Sequence, residues 1–197
     1  MEAVRVVTGT AVPLNRSDVD TDQIIPAAWL KRVERTGFGV GLFSAWRDDR
    51  NFVLNDERFA GATILVAGPN FGTGSSREHA VWAIMDYGFR AVISPRFGDI
   101  FKNNSGKNGL VVAQLDADVV ERIMAAVEAE PKTEITVDVE RLVVAVPSLG
   151  IEAPFALDPA TQERFLEGLD EIGLTLRFAD AIGEFETRRA AFKPTTV

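Results

Sequence analysis

The sequence predicts an α/β fold built around parallel strands, and three observations carry that reading. Short continuous apolar runs recur at 63–67, 91–94 and 110–114. Stretches with helical spacing follow the first and the last of them, at 76–87 and 117–130. Turn residues separate these segments, and strands alternating with helices in this way point to a sheet flanked by helices.

Taken in order, the first 60 or so residues are loop-rich. A strand is expected at 4–8, followed by the polar, turn-forming run Asn15-Arg16-Ser17-Asp18-Val19-Asp20-Thr21-Asp22 and the Gly-spaced segment Thr36-Gly37-Phe38-Gly39-Val40-Gly41. Residues 63–67 form a buried strand that enters a Gly-rich turn and then the helix at 76–87. The strand at 91–94 leads into a polar loop rich in Asn and Gly that runs through Asn108, then the strand at 110–114 and the helix at 117–130. Residues 133–140 and 141–147 are rich in β-branched side chains and predict a hairpin. Hairpin and parallel strands together give a mixed sheet flanked by helices. The stretch 159–189 reads as two amphipathic helices broken near Gly173. The expectation is one domain over 1–197, with a core at about 1–155 and a C-terminal helical extension at 156–197.

Composition excludes several functions. There are 21 Lys and Arg against 29 Asp and Glu, a net charge of −8, and the cations are scattered. Nucleic acid is therefore not expected as a partner, since phosphate neutralisation needs clustered cations. No run approaches the roughly 20 apolar residues that cross a bilayer, and Met1-Glu2-Ala3-Val4-Arg5 lacks the apolar run of a signal peptide, so a cytoplasmic protein is expected. With no Cys and one His, the chain builds no disulfide framework, zinc site or iron–sulfur cluster of its own. No metal ligand is assigned.

The segment richest in chemistry is Gly68-Pro69-Asn70-Phe71-Gly72-Thr73-Gly74-Ser75-Ser76-Arg77-Glu78-His79-Ala80, between a strand and a helix. Gly72 and Gly74 allow a tight turn and close approach to a ligand, and a helix N-terminus attracts anions. Arg77 can grip a carboxylate with two parallel hydrogen bonds. Ser75-Ser76-Arg77-Glu78 also fits a capping box, with Ser75 at the N-cap. A cap needs one hydroxyl and no Arg, so the Ser-Ser-Arg triplet after two glycines favours a ligand role. A dinucleotide fingerprint fails where Arg77 stands in place of Gly, and a phosphate-binding Walker loop fails at Thr73-Gly74-Ser75. The run Ala80-Val81-Trp82-Ala83-Ile84-Met85 is apolar on all sides and reads as core.

Gly74-Ser75-Ser76-Arg77-Glu78-His79-Ala80 resembles the signature of the swivelling domain of the aconitase superfamily. The resemblance extends to Asp20-Thr21-Asp22-Gln23-Ile24-Ile25-Pro26, Arg96-Phe97-Gly98-Asp99-Ile100-Phe101 and Asn108-Gly109-Leu110, in the order and approximate spacing of the separate small subunits of that superfamily. It implies a β/β/α swivelling domain and a hydro-lyase that moves a hydroxyl between neighbouring carbons of a small hydroxy-dicarboxylic acid. It also implies a large subunit bearing a [4Fe–4S] cluster as partner. By resemblance, Ser75 takes the proton, with Gly74, Ser76 and Arg77 holding carboxylate. The run Trp29-Leu30-Lys31-Arg32-Val33-Glu34-Arg35-Thr36-Gly37 resembles the region that tunes the accepted side chain. Within it Leu30 offers an apolar contact, and Lys31, Arg32 and Arg35 are candidate cations. Asp20, Thr21 and Asp22 read as a motif that positions this loop. His79 reads as a structural histidine, bonded to backbone or a carboxylate. Two readings stay open beside the leading one: the small subunit of a related hydratase with another substrate, and a non-catalytic anion-binding module.

Overall fold

A computed structural model of the chain describes residues 1–31, 36–74, 77–190 and 192. The strand directions are mixed, as expected, but they divide between two four-stranded sheets. One sheet holds β2 (Ala11–Leu14), β3 (Ile64–Ala67), β4 (Ala91–Ser94) and β5 (Val111–Gln114), in that order and all parallel. The other holds β1 (Val6–Gly9), β6 (Ile135–Asp138), β7 (Val143–Val146) and β8 (Ile151–Pro154), all antiparallel.

Burial explains the division. Every residue of β2, β3 and β4 is buried, as a parallel sheet covered on both faces requires, and these strands are continuous apolar runs. In β6 and β7 buried and half-buried positions alternate, the pattern of a sheet with one face on the core. The expected strands and hairpin are present, their ends shifted by a residue or two. Strands β2 and β8 are additions to that reading. Pro13 disguises β2, because proline cannot donate to a ladder; β2 sits at the edge of its sheet, where that loss is tolerated.

Helices join the parallel strands. Helix α2 (Glu78–Tyr87) connects β3 to β4, and α4 (Ala117–Ala129) leaves β5 and packs across β2, β3 and β4. The polar loop expected between β4 and β5 is instead helix α3 (Asp99–Asn108). Its Asn and Gly content is unfavourable for a helix, but Phe101 is fully buried against the rings of Phe71 and Phe97, and tertiary burial overrides weak propensity. Gly109 ends it in the left-handed conformation. Within the loop-rich N-terminal region, Asp20 opens a short helix α1 (Thr21–Ile24): its carboxylate accepts from the Gln23 N–H at 2.8 Å, and the Gln23 side chain accepts from the Asp20 N–H at 2.9 Å.

Among its described residues the C-terminal extension contains three helices, where two broken near Gly173 were expected: α5 (Pro159–Glu167), α6 (Glu171–Leu176) and α7 (Ala179–Thr187). The breaks fall at Gly168, which adopts the left-handed conformation, and at Arg177–Phe178; Gly173 lies inside α6, where its N–H meets the Asp170 cap at 2.7 Å. Phe165 seats α5 in the buried cluster, whereas Ile172 and Leu176 of α6, Phe178 between the helices and Phe185 of α7 are more than half exposed. No helix among the described residues is long and apolar enough to cross a membrane.

Two stability measurements test this architecture. Leu65, fully buried in β3, leaves a cavity when truncated, and Leu65→Ala is expected to lower unfolding free energy in denaturant by about 2–5 kcal/mol. Asp158 caps α5, and its carboxyl is held below the usual carboxylate range by the Thr161 hydroxyl and then by the Ala160 amide. A depressed folded value means that its contribution is present above the unfolded value and lost as pH falls through the folded one. Asp158→Ala therefore costs about 1 kcal/mol at pH 7, and the gap between variant and wild type narrows in denaturation below about pH 4.

Candidate active site

The Gly-rich segment leaves the carboxyl end of β3 and is fastened on both sides by backbone. On one side the Gly72 and Thr73 N–H groups donate to the Val19 carbonyl at 2.7 and 3.2 Å, and the Thr21 N–H donates to the Thr73 carbonyl at 3.2 Å. On the other, the Phe71 N–H donates to the Arg96 carbonyl at 3.0 Å, and the Gly98 N–H donates to the Phe71 carbonyl at 2.9 Å. The buried Ser94 hydroxyl, at the end of β4, donates to the Gly68 carbonyl at 2.7 Å, and the Asn70 amide donates to Asp18 at 2.7 Å. The result is a short bridge of backbone across the carboxyl edge of the parallel sheet, the edge where open α/β sheets bind their ligands.

Gly72 is required by two constraints at once. Its φ is +73°, and a Cβ there would lie 2.3 Å from Cγ of Phe101, which packs below it from α3. Phe101 is in turn held against the rings of Phe71 and Phe97 at 5.4 and 6.2 Å.

Helix α2 begins at Glu78 with Arg77 as its N-cap, and Arg77 makes no side-chain cap hydrogen bond. The capping box is thereby excluded, because it would need the helix to start immediately after Ser75. The Arg77 guanidinium donates to the Asp22 carboxylate of α1, with 28% of the Arg77 side chain and 55% of the Asp22 side chain exposed. Residues of the Asp20-Thr21-Asp22 motif thus do two jobs: Asp20 caps α1, and Asp22 fixes Arg77. The second was not legible in the sequence, which separates the pair by 55 positions.

Of the expected site residues, Gly74 is exposed at the end of the bridge, with φ +83°. Leu30, half-buried, and Lys31, exposed, end the 3-10 turn Ala27–Lys31. Ser75, Ser76, Arg32 and Arg35 lie outside the described residues. The run that contains Arg32 and Arg35 is anchored beyond its far end: the Phe38 N–H donates to Asp86 of α2 at 2.9 Å, and the Phe38 ring meets His79 and Trp82 at 5.4 and 5.7 Å. His79 therefore packs among aromatic rings, 4.6 Å from Trp82, in place of the expected partnership with backbone or carboxylate. The Ala80–Met85 run is core as expected at Ala80, Val81, Ala83 and Ile84, with Trp82 and Met85 half-buried.

A cavity of about 460 Å³ lies elsewhere, lined by residues that include Arg16, Phe52, Asp56, Arg58 and Glu128. That cavity is lined by no residue of the Gly-rich bridge and does not include Arg77. The bridge and the start of α2 bring glycines, a helix N-terminus and a guanidinium close together in the chain. Among the described residues no group of three or more His, Cys, Asp or Glu side chains is arranged to hold a metal ion.

Comparison with known proteins identifies the family. The family model of the Aconitase C-terminal domain matches residues 1–118, and that of the C-terminal domain of the 3-isopropylmalate dehydratase small subunit matches residues 171–196. The small subunit of 3-isopropylmalate dehydratase from Parafrankia sp. (strain EAN1pec) is 62% identical over 196 residues, and that from Frankia alni is 60% identical over 197 residues. In both, all of this chain and all of the relative are covered. A solved structure of 3-isopropylmalate dehydratase from Methanocaldococcus jannaschii superposes with a TM-score of 0.68 at 25% identity, covering 91% of this chain and 99% of that one. These likenesses span the bridge, both sheets and the helical extension, and the chain belongs to the family of 3-isopropylmalate dehydratase small subunits.

Proposed function

We propose that the chain works as the small subunit of a 3-isopropylmalate dehydratase, interconverting 2-isopropylmalate and 3-isopropylmalate by dehydration and rehydration in leucine biosynthesis. The observation that carries this reading is the full-length identity to such subunits in a chain whose Gly-rich bridge is fastened on both sides at a sheet's carboxyl edge. A cytoplasmic location follows from the reading as a biosynthetic enzyme.

The reaction needs a proton removed from carbon beside a carboxylate and a hydroxide expelled from the neighbouring carbon. Ser75 is proposed to take the proton. A serine hydroxyl is a weak base, and its alkoxide is formed more easily beside the positive end of α2 and the Arg77 guanidinium. Gly74, Ser76 and Arg77 are proposed to hold substrate carboxylate. Leu30 would offer apolar contact to the isopropyl group, with Lys31, Arg32 and Arg35 as the cations of the same loop. A [4Fe–4S] cluster supplies Lewis-acid chemistry for the departing hydroxide. This chain does not fit such a group, for it has no cysteine. The cluster is assigned to a large subunit, the partner proposed to complete the site.

Anaerobic co-purification with a large subunit, followed by absorbance of the unsaturated intermediate, tests the reading. Activity is expected to require both chains and to favour 2-isopropylmalate; a preference for citrate-like acids would move the chain to a related hydratase. Ser75→Ala is expected to lower kcat by about 10²–10⁴-fold without dissociating the pair. Arg77→Lys keeps the charge but loses the two-pronged grip, and KM for 2-isopropylmalate is expected to rise about 10–100-fold.

A further inference from the structure

We infer that Asn108, at the far end of α3, is a positioning residue that fixes the first turn of α2 and with it Arg77. The role rests on the reading of the residues just before that turn, 74–77, as those that hold carboxylate and move the proton.

The N-cap of helix α2, Arg77, makes no side-chain cap hydrogen bond, and helix starts fray where their first N–H groups have no partner within the helix. Asn108 supplies the missing restraint from outside. Its Oδ1 accepts from Trp82 Nε1 at 2.9 Å, and its Nδ2 donates to Glu78 Oε1 at 2.8 Å and to the Asn104 carbonyl at 2.8 Å. Glu78 and Trp82 lie one turn apart on the same face of α2, so one amide holds that turn at both ends. The orientation of the amide is dictated by its neighbours: an indole N–H can only donate, and a carboxylate only accepts. Few side chains offer a donor and an acceptor together, and an aspartate here would set a second negative charge against Glu78.

Asn108 is itself held firmly. It is the last residue of α3, followed by Gly109 in the left-handed conformation, whose N–H bonds the Ser105 carbonyl at 3.0 Å. Near the other end of α3, Phe101 packs beneath Gly72. One helix therefore makes two contacts, from below with Gly72 of the bridge and through Asn108 with Glu78 of α2.

The test compares wild type, Asn108→Asp, Glu78→Ala and the double variant Glu78→Gln/Asn108→Asp. In the complex with the large subunit, Asn108→Asp is expected to lower kcat about 10–100-fold while KM for 2-isopropylmalate stays within about threefold, since small misplacements of reacting groups cost rate. The double variant reverses the direction of the bond, with the new amide on α2 donating to the new carboxylate on α3, and is expected to recover most of that loss. In the free full-length chain, Asn108→Asp is expected to speed amide hydrogen exchange across 78–82 by about tenfold relative to the parallel sheet. Unchanged kcat and exchange, or failure of the double variant to recover either, would overturn the inference. Should Asn108→Asp not fold, Glu78→Ala decides: it truncates an exposed side chain, and it is expected to show the same faster exchange with a several-fold drop in kcat, whereas wild-type values would sink the role. A wild-type pair that does not turn over 2-isopropylmalate, with the exchange effect intact, would refute the functional reading and leave the positioning role standing.

Discussion

The backbone bridge at 68–74 is the constraint on which the rest of the candidate site depends. Its amides and carbonyls are paired sideways with the segments after β2 and after β4, as if a short extra layer of strand pairing continued past the carboxyl edge of the sheet. That arrangement leaves no space between Gly72 and Phe101. The chemistry of the segment lies in its side chains, but its shape is set by backbone hydrogen bonds and one aromatic ring.

Electrostatics act within that frame and orient more than they stabilise. The Arg77–Asp22 pair is partly exposed, and ion pairs in such settings contribute about 0–1 kcal/mol. Its value is geometric, since it holds the guanidinium with a carboxylate, the same functional group that the proposed substrate presents. A weak pair suits that position, because a deeply buried one would resist any rearrangement when an anionic ligand arrives.

The two sheets divide the work. The parallel sheet, buried on both faces, gives a rigid edge on which three consecutive loops are brought side by side. The antiparallel sheet and the C-terminal helices lie outside the segment 1–118 that matches the Aconitase C-terminal domain, apart from β1. Helix α5 is tied back to the N-terminus: the Val4 N–H donates to the Phe165 carbonyl at 2.7 Å, and the Met1 amino group donates to the Gly168 carbonyl at 3.1 Å.

Periodicity alone determined much of the architecture. Continuous apolar runs marked β3, β4 and β5, and β-branched arms marked the β6–β7 hairpin, because burial on both faces or on one face writes directly into residue type. Gly72, Gly74 and Arg77 stood out for a similar reason, since tight turns and anion contacts admit few residue types. Tertiary structure decided the remainder. Helix α3 has a polar sequence and exists because Phe101 is buried; Gly173 stays inside α6 because Asp170 caps it and Gly168 takes the break. The pairing of Arg77 with Asp22, the aromatic setting of His79 and the grip of Asn108 on Glu78 join residues 30 to 55 positions apart, or cross from one element to another. No local pattern encodes such contacts, because they exist only once separate loops have been carried to the same edge of a folded sheet.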